Sequence, residues 1–266
     1  MRSVFAWIVP AAVVAVFACI LFDLLRHGAE RISWDFLFTA PRNAGREGGL
    51  STILVSTVLI LGVCMAVSLP LGVGTAVLLS EAGEGGFARA VRRSLDVLSG
   101  VPSIVFGLFG NALFCKALGM GFSILSGGLT LACMVLPILI RATEEGLRAV
   151  PRELRLGAAA LGLSRTTTLG RLILPAAVPG LMVGFILGVG RAIAETAALL
   201  FTSGYVDRMP SSLLDSGRAL TVHIYDLSMN VPGGDRSAYG AALVLVVLLL
   251  LINSAAWKIA RRWRIA

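Results

Sequence analysis

The sequence predicts an all-α polytopic membrane protein. Hydrophobic residues make up 57% of its 266 residues and charged residues only 14%, whereas soluble domains carry about 25% charged residues. The apolar residues form charge-free runs of roughly 19 residues or more, and a bilayer core of about 30 Å is crossed by about 20 apolar residues in a helix. We expect helices rather than barrel strands because the runs do not alternate polar and apolar residues.

Six charge-free runs predict six transmembrane helices. Basic residues are more numerous on the side that carries both termini, so the positive-inside rule predicts cytoplasmic termini. The same distribution makes the net charge of +8 a topology signal, and we expect no nucleic-acid binding. The six runs lie at 4–22, 50–80, 97–115, 117–140, 172–190 and 237–257.

Residues 1–49 form the first predicted unit, which comprises the first transmembrane helix and an outer segment. The first run is long for a signal peptide and shows no small-x-small cleavage site before Asp23, so a retained helix is favoured over a cleaved signal. Three aromatic residues of the outer segment predict an anchor at the membrane interface. They are Trp34, Phe36 and Phe38.

Residues 50–266 form the second predicted unit, a core of five transmembrane helices with a cytoplasmic loop at about 141–171. Pro70, Gly72 and Gly74 in the longest run predict a kink or a close backbone approach. The connection at 81–96 is expected to keep its basic residues in water or at lipid head groups. These are Arg89, Arg92 and Arg93.

The last outer loop, about 204–236, contains a stretch at 211–230 that predicts a short amphipathic helix on the outer surface. His223 in this stretch is interpreted as an interfacial side chain rather than a metal ligand, since the only other histidine is His27. The cysteines have no CxxC spacing and are interpreted as apolar packing residues, so no metal site is predicted. They are Cys19, Cys64, Cys115 and Cys133.

The segment VPRELRLGAAALGLSRTTTLGRLILPAAVPG at 150–180 is polar at its start and connects two predicted spans. Its alanines favour a helix, and Gly162 permits a sharp change of direction. A short helix, a turn and a second helical piece would form a compact knob whose small residues enter a groove on a partner protein. The alternative is an ordinary loop with a frayed helix.

This segment resembles the EAA loop of ABC importer permeases, which reads Glu-Ala-Ala, three residues, Gly, nine residues, Ile-x-Leu-Pro. Gly162 falls on the glycine, while Leu156 stands where Glu is usual and Gly157 replaces the first Ala. The resemblance implies that the loop docks into an ATPase subunit and relays its motions. The residues so implicated are Leu156, Gly157, Ala158, Ala159, Gly162, Leu163, Ser164, Leu174 and Pro175.

Three further stretches resemble the phosphate importer permeases, and the third is closer to the PstA-type than to the PstC-type subunit. They are DVLSGVPSIVFGLFG at 96–110, RATEEGLRAVP at 141–151 and GRAIAETAALLFTSG at 190–204. The order and spacing of these motifs hold over roughly residues 50–230.

The resemblance implies the type I, MetI-like permease fold and a multi-pass location in the bacterial inner membrane. It implies that the chain forms half of the translocation pathway of an ATP-driven phosphate importer. The expected partners are a PstC-type permease subunit, two PstB-type ATPase subunits and an extracytoplasmic PstS-type phosphate-binding protein. ATP and Mg²⁺ are expected on the ATPase, and this chain is expected to bind no cofactor.

Arg191 and Glu195 are intramembrane charges that indicate a substrate pathway. Such a charge costs about 3 kcal/mol on insertion scales, so we expect it to face a partner or a wet path. At i and i+4 the two side chains can reach each other. Arg191 is interpreted as a donor to a passing phosphate, with Glu195 holding its guanidinium group. The alternative is a purely structural pair; Thr196 either adds a hydroxyl donor or packs between helices.

Two other groups are candidates for a gate or an anion path. SGVPS at 99–103 predicts a helix break in which Ser99, Ser103 and backbone N–H groups face an anion; the alternative is a simple helix start or kink. Arg141, Glu144 and Glu145 form either a gate-closing charge cluster or a solvated helix end, and the solvated end is the interpretation we favour.

Sequence motifs for enzymatic functions are absent. The chain has no G-x-x-x-x-G-K-[ST] phosphate loop, no H-E-x-x-H and no G-x-S-x-G. We therefore expect a transport subunit that is not an enzyme. The alternatives are a permease for another oxyanion such as phosphonate, sulfate or molybdate, and a passive channel or sensor scaffold. An intramembrane enzyme acting on lipid phosphate would need a nucleophile or metal cluster, which the spans do not show.

Overall fold

The computed structural model describes residues 2–83 and 85–262, with the side chains of 7–83 and 85–261. Helices dominate these ranges. They are α1 (Arg2–Ala29), α2 (Trp34–Phe38), α3 (Ser51–Glu81), α4 (Gly86–Ser99), α5 (Ser103–Gly110), α6 (Ile124–Arg148), α7 (Arg152–Ala160), α8 (Arg165–Thr168), α9 (Leu174–Ile193), α10 (Ala197–Leu200), α11 (Leu220–Met229) and α12 (Asp235–Arg262).

Short irregular elements complete the described chain. A two-stranded antiparallel hairpin joins β1 (Pro41–Arg42) to β2 (Glu47–Gly48) through a 3-10 turn at Asn43–Gly45. In this hairpin Pro41 pairs with Gly48, and Arg42 with Glu47. Two stretches are π-helical. Asn111–Ala117 continues α5, and Leu169–Ile173 lies between α8 and α9.

Five helices of the described ranges are long and apolar enough to cross a membrane. Gly86–Ser99 and Ser103–Ala117 meet this criterion only as a pair, bent by 100° at their junction, and counting the pair gives six. The predicted all-α polytopic membrane fold is confirmed. The third predicted span, 97–115, contains the bend, because Pro102 disfavours helical backbone in the residue before it. The five are Trp7–Ala29, Ser51–Glu81, Ile124–Arg148, Arg165–Ile193 and Asp235–Arg261.

Helix α6 lies between α3 and α9 at the centre of the bundle. The α9 side of this contact is a stripe of glycines at Gly180, Gly184 and Gly188. A Cβ atom added to Gly180 would lie 2.4 Å from the Cα of Gly146 on α6. Small residues at a spacing of four allow transmembrane helices to approach closely, so α6 and α9 touch backbone to backbone.

The contact between α3 and α6 uses the same device. A Cβ atom on Gly72 would lie 2.8 Å from Cδ2 of Leu139, which confirms the predicted close approach at this residue. The prediction is wrong for Gly74, because no described heavy atom lies within 4 Å of a Cβ atom added there. Helix α3 continues through Pro70 to Glu81. Buried apolar side chains fill the space between α3 and α6, among them Ile60, Cys64, Leu131, Val135 and Leu139.

The bundle has two ends that differ in their elements. We call the end where α3 and α6 finish the α7 end, since α7 follows there, and the opposite end the α11 end. At the α11 end the outer segment folds over the bundle. Phe36 is buried, so its predicted role as an interfacial anchor is wrong; Arg31 lies over its ring at 4.9 Å. Trp34 and Phe38 are exposed and stack on each other.

His223 of α11 is fully buried, so the prediction of an interfacial side chain is wrong. The hairpin turn covers it, because a Cβ atom on Gly45 would lie 2.5 Å from its Cε1 atom. Its Nδ1 lies 3.4 Å from Nη1 of Arg218, which in turn lies 3.2 Å from Oδ2 of Asp226. The pKa of His223 is lowered to about 4. Burial is the main cause, and the positive charge of Arg218 adds to it. The carboxylates of Asp226 and Asp207 act in the opposite direction and offset part of the shift.

We predict that His223 makes the protein acid-sensitive. Its folded pKa of about 4 lies below its ordinary value of 6.5, so the unfolded chain takes up the proton first. The stability conferred by neutral His223 is complete above about pH 6.5 and is lost as the pH falls towards 4. In thermal unfolding of the detergent-solubilised protein, His223→Gln should flatten the decline in melting temperature across this window. His27→Gln, at an exposed histidine, should keep the wild-type slope; an unchanged slope in His223→Gln would contradict the assignment.

Candidate functional site

Three of the predicted site residues line one cavity beside the junction of α4 and α5. This pathway cavity has a volume of about 330 Å³. Ser99 comes from the end of α4, Arg141 from α6 and Arg191 from α9. Two guanidinium groups and one serine in an otherwise apolar wall form a site suited to an oxyanion. The other lining residues are Leu98, Val101, Phe106, Met134, Pro137 and Ile138.

Arg191 is the most available cation of the pathway cavity. Its side chain is 49% exposed, and its Nη2 lies 3.9 Å from Oε2 of Glu195. This distance is too long for a hydrogen bond. The carboxylate therefore attracts the guanidinium group without occupying its N–H donors.

Glu195 lies just past the end of α9, in the break before α10. It is buried, and its carboxylate accepts the N–H of Ala198 at 3.3 Å, which caps α10. Its backbone oxygen accepts the hydroxyl of Thr221 from α11 at 2.7 Å. Thr196 occupies the same break and is half-buried. The structure therefore gives Glu195 a positioning role at the break, in addition to its proximity to Arg191.

Helix α10 packs on α5, which brings the two helix breaks together. A Cβ atom on Gly107 would lie 2.8 Å from the Cα of Ala198, and Nδ2 of Asn111 donates to the oxygen of Phe201 at 2.7 Å. Ser103, the first residue of α5, is half-buried and does not line the pathway cavity. The predicted break at 99–103 is confirmed as the start of α5.

Glu144 forms the centre of a buried charge cluster at the α7 end. The residue is 3% exposed. Its carboxylate lies 2.8 Å from Nε of Arg92, 2.9 Å from Nη2 of Arg148 and 3.8 Å from Nη1 of Arg141. The favoured interpretation of a solvated helix end is therefore wrong for Glu144, because α4 covers this turn of α6. We call these four residues the Glu144 cluster.

Arg92 extends the Glu144 cluster to a third helix. It donates through Nη2 to the oxygen of Leu79 at 2.7 Å and through Nη1 to the oxygen of Gly83 at 3.0 Å. These carbonyls belong to the end of α3 and the turn after it. The expectation that Arg92 stays in water is wrong, since its guanidinium group satisfies a buried carboxylate and helix-terminal carbonyls together.

Arg141 connects the Glu144 cluster to the pathway cavity. It pairs with Asp96 of α4, donating from Nε to Oδ1 at 3.1 Å, and donates from Nη2 to the backbone oxygen of Arg92 at 3.1 Å. Several of its donors are therefore occupied by α4. Arg141 contributes positive charge to the cavity, whereas Arg191 retains open donors.

The predicted knob is a helix–turn–helix formed by α7, the turn at 161–164 and α8. Gly162 has a φ of +71°, a conformation that glycine adopts without steric cost. Ser164 caps α8 by accepting the N–H of Thr167 at 3.2 Å. Ala158 is buried, and its oxygen accepts the N–H of Leu163 at 3.0 Å. The frayed-loop alternative is wrong, because each end of the turn is capped.

The α7 surface presents apolar residues to its surroundings. Leu156 is 69% exposed and Leu161 is 80% exposed. Gly157 and Ala159 are also exposed, and no heavy atom lies within 4 Å of a Cβ atom added to Gly157. Leu174 and Pro175 lie at the first turn of α9 and are half-buried. Leu156 thus provides an open apolar contact where the resembling loops carry a carboxylate.

Arg92, Asp96 and Arg148 are the site residues that sequence reasoning missed. The spacing of Arg141 and Arg148 around Glu144 on one helix was a readable signal for local ion pairs. Arg92 is 52 positions away from Glu144, and no local pattern indicates that α4 folds back onto α6.

The sequence matches one protein family and is similar to several known permeases. Residues 68–265 match the family described as binding-protein-dependent transport system inner membrane component. The chain is 33% identical over 263 residues to the probable ABC transporter permease protein YqgI of Bacillus subtilis, covering 92% of this chain and 90% of that protein. It is 38% identical over 211 residues to the phosphate transport system permease protein PstA 1 of Mycobacterium tuberculosis, covering 79% and 69%.

Comparison with solved structures supports the fold. A bacterial alginate ABC transporter in complex with an alginate-bound periplasmic protein aligns with a TM-score of 0.70 at 15% identity, covering 97% of this chain and 94% of that one. The MetNI methionine ABC transporter, in an inward-facing conformation, aligns with a TM-score of 0.63 at 19% identity, covering 82% and 95%.

We predict that Glu144→Gln destabilises the protein by about 3–5 kcal/mol, the usual cost of removing one partner from a buried ion pair. The substitution preserves the shape of the side chain but leaves the buried guanidinium group of Arg92 uncompensated. Glu145→Gln is the matched control, since its side chain is exposed one position away; its effect should stay within about 0.5 kcal/mol. Unfolding in mixed micelles measures both. Equal effects of the two substitutions would show that the Glu144 cluster is not a structural centre.

Proposed function

Because the chain belongs to the binding-protein-dependent transport system inner membrane components, we propose that it is the PstA-type permease subunit of an ATP-driven phosphate importer. The family establishes a multi-pass permease subunit of an ABC transporter, which is not itself an enzyme. Phosphate as the substrate is supported by the relatives named as phosphate transport permeases. The single observation that carries the proposal is the pathway cavity, where Arg191 presents open donors beside a second guanidinium group.

The proposed assembly places the α7 end in the cytoplasm with both termini. A PstC-type permease subunit would supply the other half of the pathway, and two PstB-type ATPase subunits would bind ATP and Mg²⁺. A PstS-type binding protein would deliver phosphate at the α11 end. The exposed α7 surface supports this orientation, since an ATPase in the cytoplasm can cover its leucines.

On entering the pathway cavity, phosphate would exchange hydrogen bonds with its hydration water for hydrogen bonds with the guanidinium groups of the cavity. Arg191 offers planar N–H groups that match two phosphate oxygens. Glu195, 3.9 Å away, offsets part of its charge and so limits how tightly the anion is held. A transport site needs this balance, because binding must be favourable enough for entry and weak enough for release.

The α7–α8 segment would relay ATPase motion to the spans. Arg155 of α7 pairs with Glu81 at the end of α3, and α8 continues through the π-helical stretch into α9. Movement of α7 is thus connected to both helices that pack on α6. With Leu156 in place of the usual acidic residue, the contact with the ATPase at this position would be apolar.

We predict that Arg191→Ala lowers ATP-dependent phosphate uptake by about 10²-fold, as expected for the loss of two charge-assisted hydrogen bonds. The assay uses vesicles with the complete importer and includes sulfate and phosphonate as competitors. Arg26→Ala, at an exposed position of α1, should leave uptake unchanged. Wild-type uptake in Arg191→Ala would remove Arg191 from the path, and dissociation of the complex would assign it a structural role. Uptake of a competitor in place of phosphate would reject the phosphate assignment.

We predict that Gly157→Trp uncouples ATP hydrolysis from uptake. No described heavy atom lies within 4 Å of a Cβ atom added at this position, so we expect the indole ring to project outward and to collide with a docked partner. Gly157 is preferable to Gly162 for this test, because the positive φ of Gly162 would add strain of its own. Gly86→Trp on α4 is the matched control, since its Cβ position is also open. Coupled uptake at the wild-type ratio in Gly157→Trp would argue against docking through α7.

A further inference from the structure

A second basic cavity lies at the α7 end, where α3, α6 and α7 meet. This arginine cleft has a volume of about 380 Å³ and shares no lining residue with the pathway cavity. Its described lining contains three guanidinium groups, one hydroxyl and no carboxylate. The lining residues are Ser80, Gly83, Leu147, Arg148, Val150, Arg152 and Arg155.

Two of the arginines are held in place by ion pairs on their other sides. Arg148 pairs with Glu144 at 2.9 Å, and Arg155 pairs with Glu81. Both side chains remain partly exposed. A guanidinium group has five N–H donors in a fixed plane, so each pair leaves donors available to the cleft while fixing the orientation of the group.

Arg152 has no hydrogen-bond or ion-pair partner within residues 7–83 and 85–261. It is the first residue of α7 and is exposed. Its charge therefore adds to the cleft without compensation from the described side chains. Two oriented guanidinium groups and one uncompensated group, brought together from two helices, form a site for a doubly charged oxyanion.

We propose that the arginine cleft binds the phosphate group of an anion on the cytoplasmic side, either inorganic phosphate or the head group of an anionic lipid. The cytoplasmic location rests on the proposed function; the binding chemistry does not. The volume accommodates a phosphate group with bound water or with the moiety that carries it. A bound anion bridges Arg148 of α6 to Arg152 and Arg155 of α7, so occupancy restrains α7 relative to the bundle.

The test measures phosphate binding with the pathway site removed. The full chain carrying Arg191→Ala, in maltoside micelles that contain no phosphate, is titrated with inorganic phosphate by equilibrium dialysis. Saturable binding is expected, and adding Arg152→Gln should weaken it about tenfold, as for one lost charge-assisted hydrogen bond. Arg93→Gln is the matched control, because Arg93 is exposed on α4 and does not line the cleft.

A second arm identifies a lipid as the source of the phosphate group. Native mass spectrometry of the chain released from phosphatidylglycerol nanodiscs counts retained lipids for Arg152→Gln and Arg93→Gln. Lower retention in Arg152→Gln alone assigns the cleft to a lipid head group. The proposal is overturned if the two variants match in both phosphate binding and lipid retention. This binding is measured in a chain that lacks Arg191. Absence of binding in the cleft would therefore not affect the uptake prediction for Arg191, and absence of phosphate uptake by the importer would not affect the binding result for the cleft.

Discussion

The buried carboxylate of Glu144 is the constraint on which the α7 end depends. A charge removed from water must be matched by partners, since an unmatched buried ion costs several kcal/mol even after relaxation. Arg92 and Arg148 provide the match, and Arg92 simultaneously donates to the carbonyl oxygens at the end of α3 and in the turn after it. One carboxylate thereby fixes α3, α4 and α6 relative to one another. The position of Arg141, and with it one wall of the pathway cavity, follows from this arrangement.

The buried carboxylates of Glu144 and Glu195 interact differently with their arginines. Arg92 lies within hydrogen-bonding distance of Glu144 and also donates to the carbonyls at the end of α3, so this arginine is committed to holding helices together. Glu195 directs its carboxylate to the N–H of Ala198 and stays 3.9 Å from Arg191. The looser pair still compensates charge within the membrane but leaves the donors of Arg191 open. The distance to the carboxylate therefore distinguishes the structural role of Arg92 from the availability of Arg191.

The sequence was sufficient for the features that depend on composition and local geometry. Long charge-free runs predicted the membrane helices, and Gly162 predicted the turn after α7, because only a few residue types tolerate its backbone conformation. The partners of Glu144, the burial of Phe36 and the burial of His223 depend on segments distant in sequence that cover these side chains. No periodicity within one helix reports such coverage. The roles of Arg191 and of the α7 surface remain predictions, since substrate and ATPase contacts are formed with other molecules.

The glycine stripe on α9 has a mechanical consequence. Side-chain layers between helices are compliant, because rotamers can change under load, but Gly180 and Gly146 touch through main-chain atoms alone. At Gly184 and Gly188, α9 again presents only backbone, and the nearest side chains that it meets belong to α6. The side-chain layer between the two helices is therefore absent at Gly180 and thin at the other two glycines. From Pro175 to Arg191 the helix measures about 24 Å at 1.5 Å per residue. A displacement applied where α9 begins is therefore carried to the arginine as the motion of a stiff rod backed by α6, rather than being absorbed by repacking on the way.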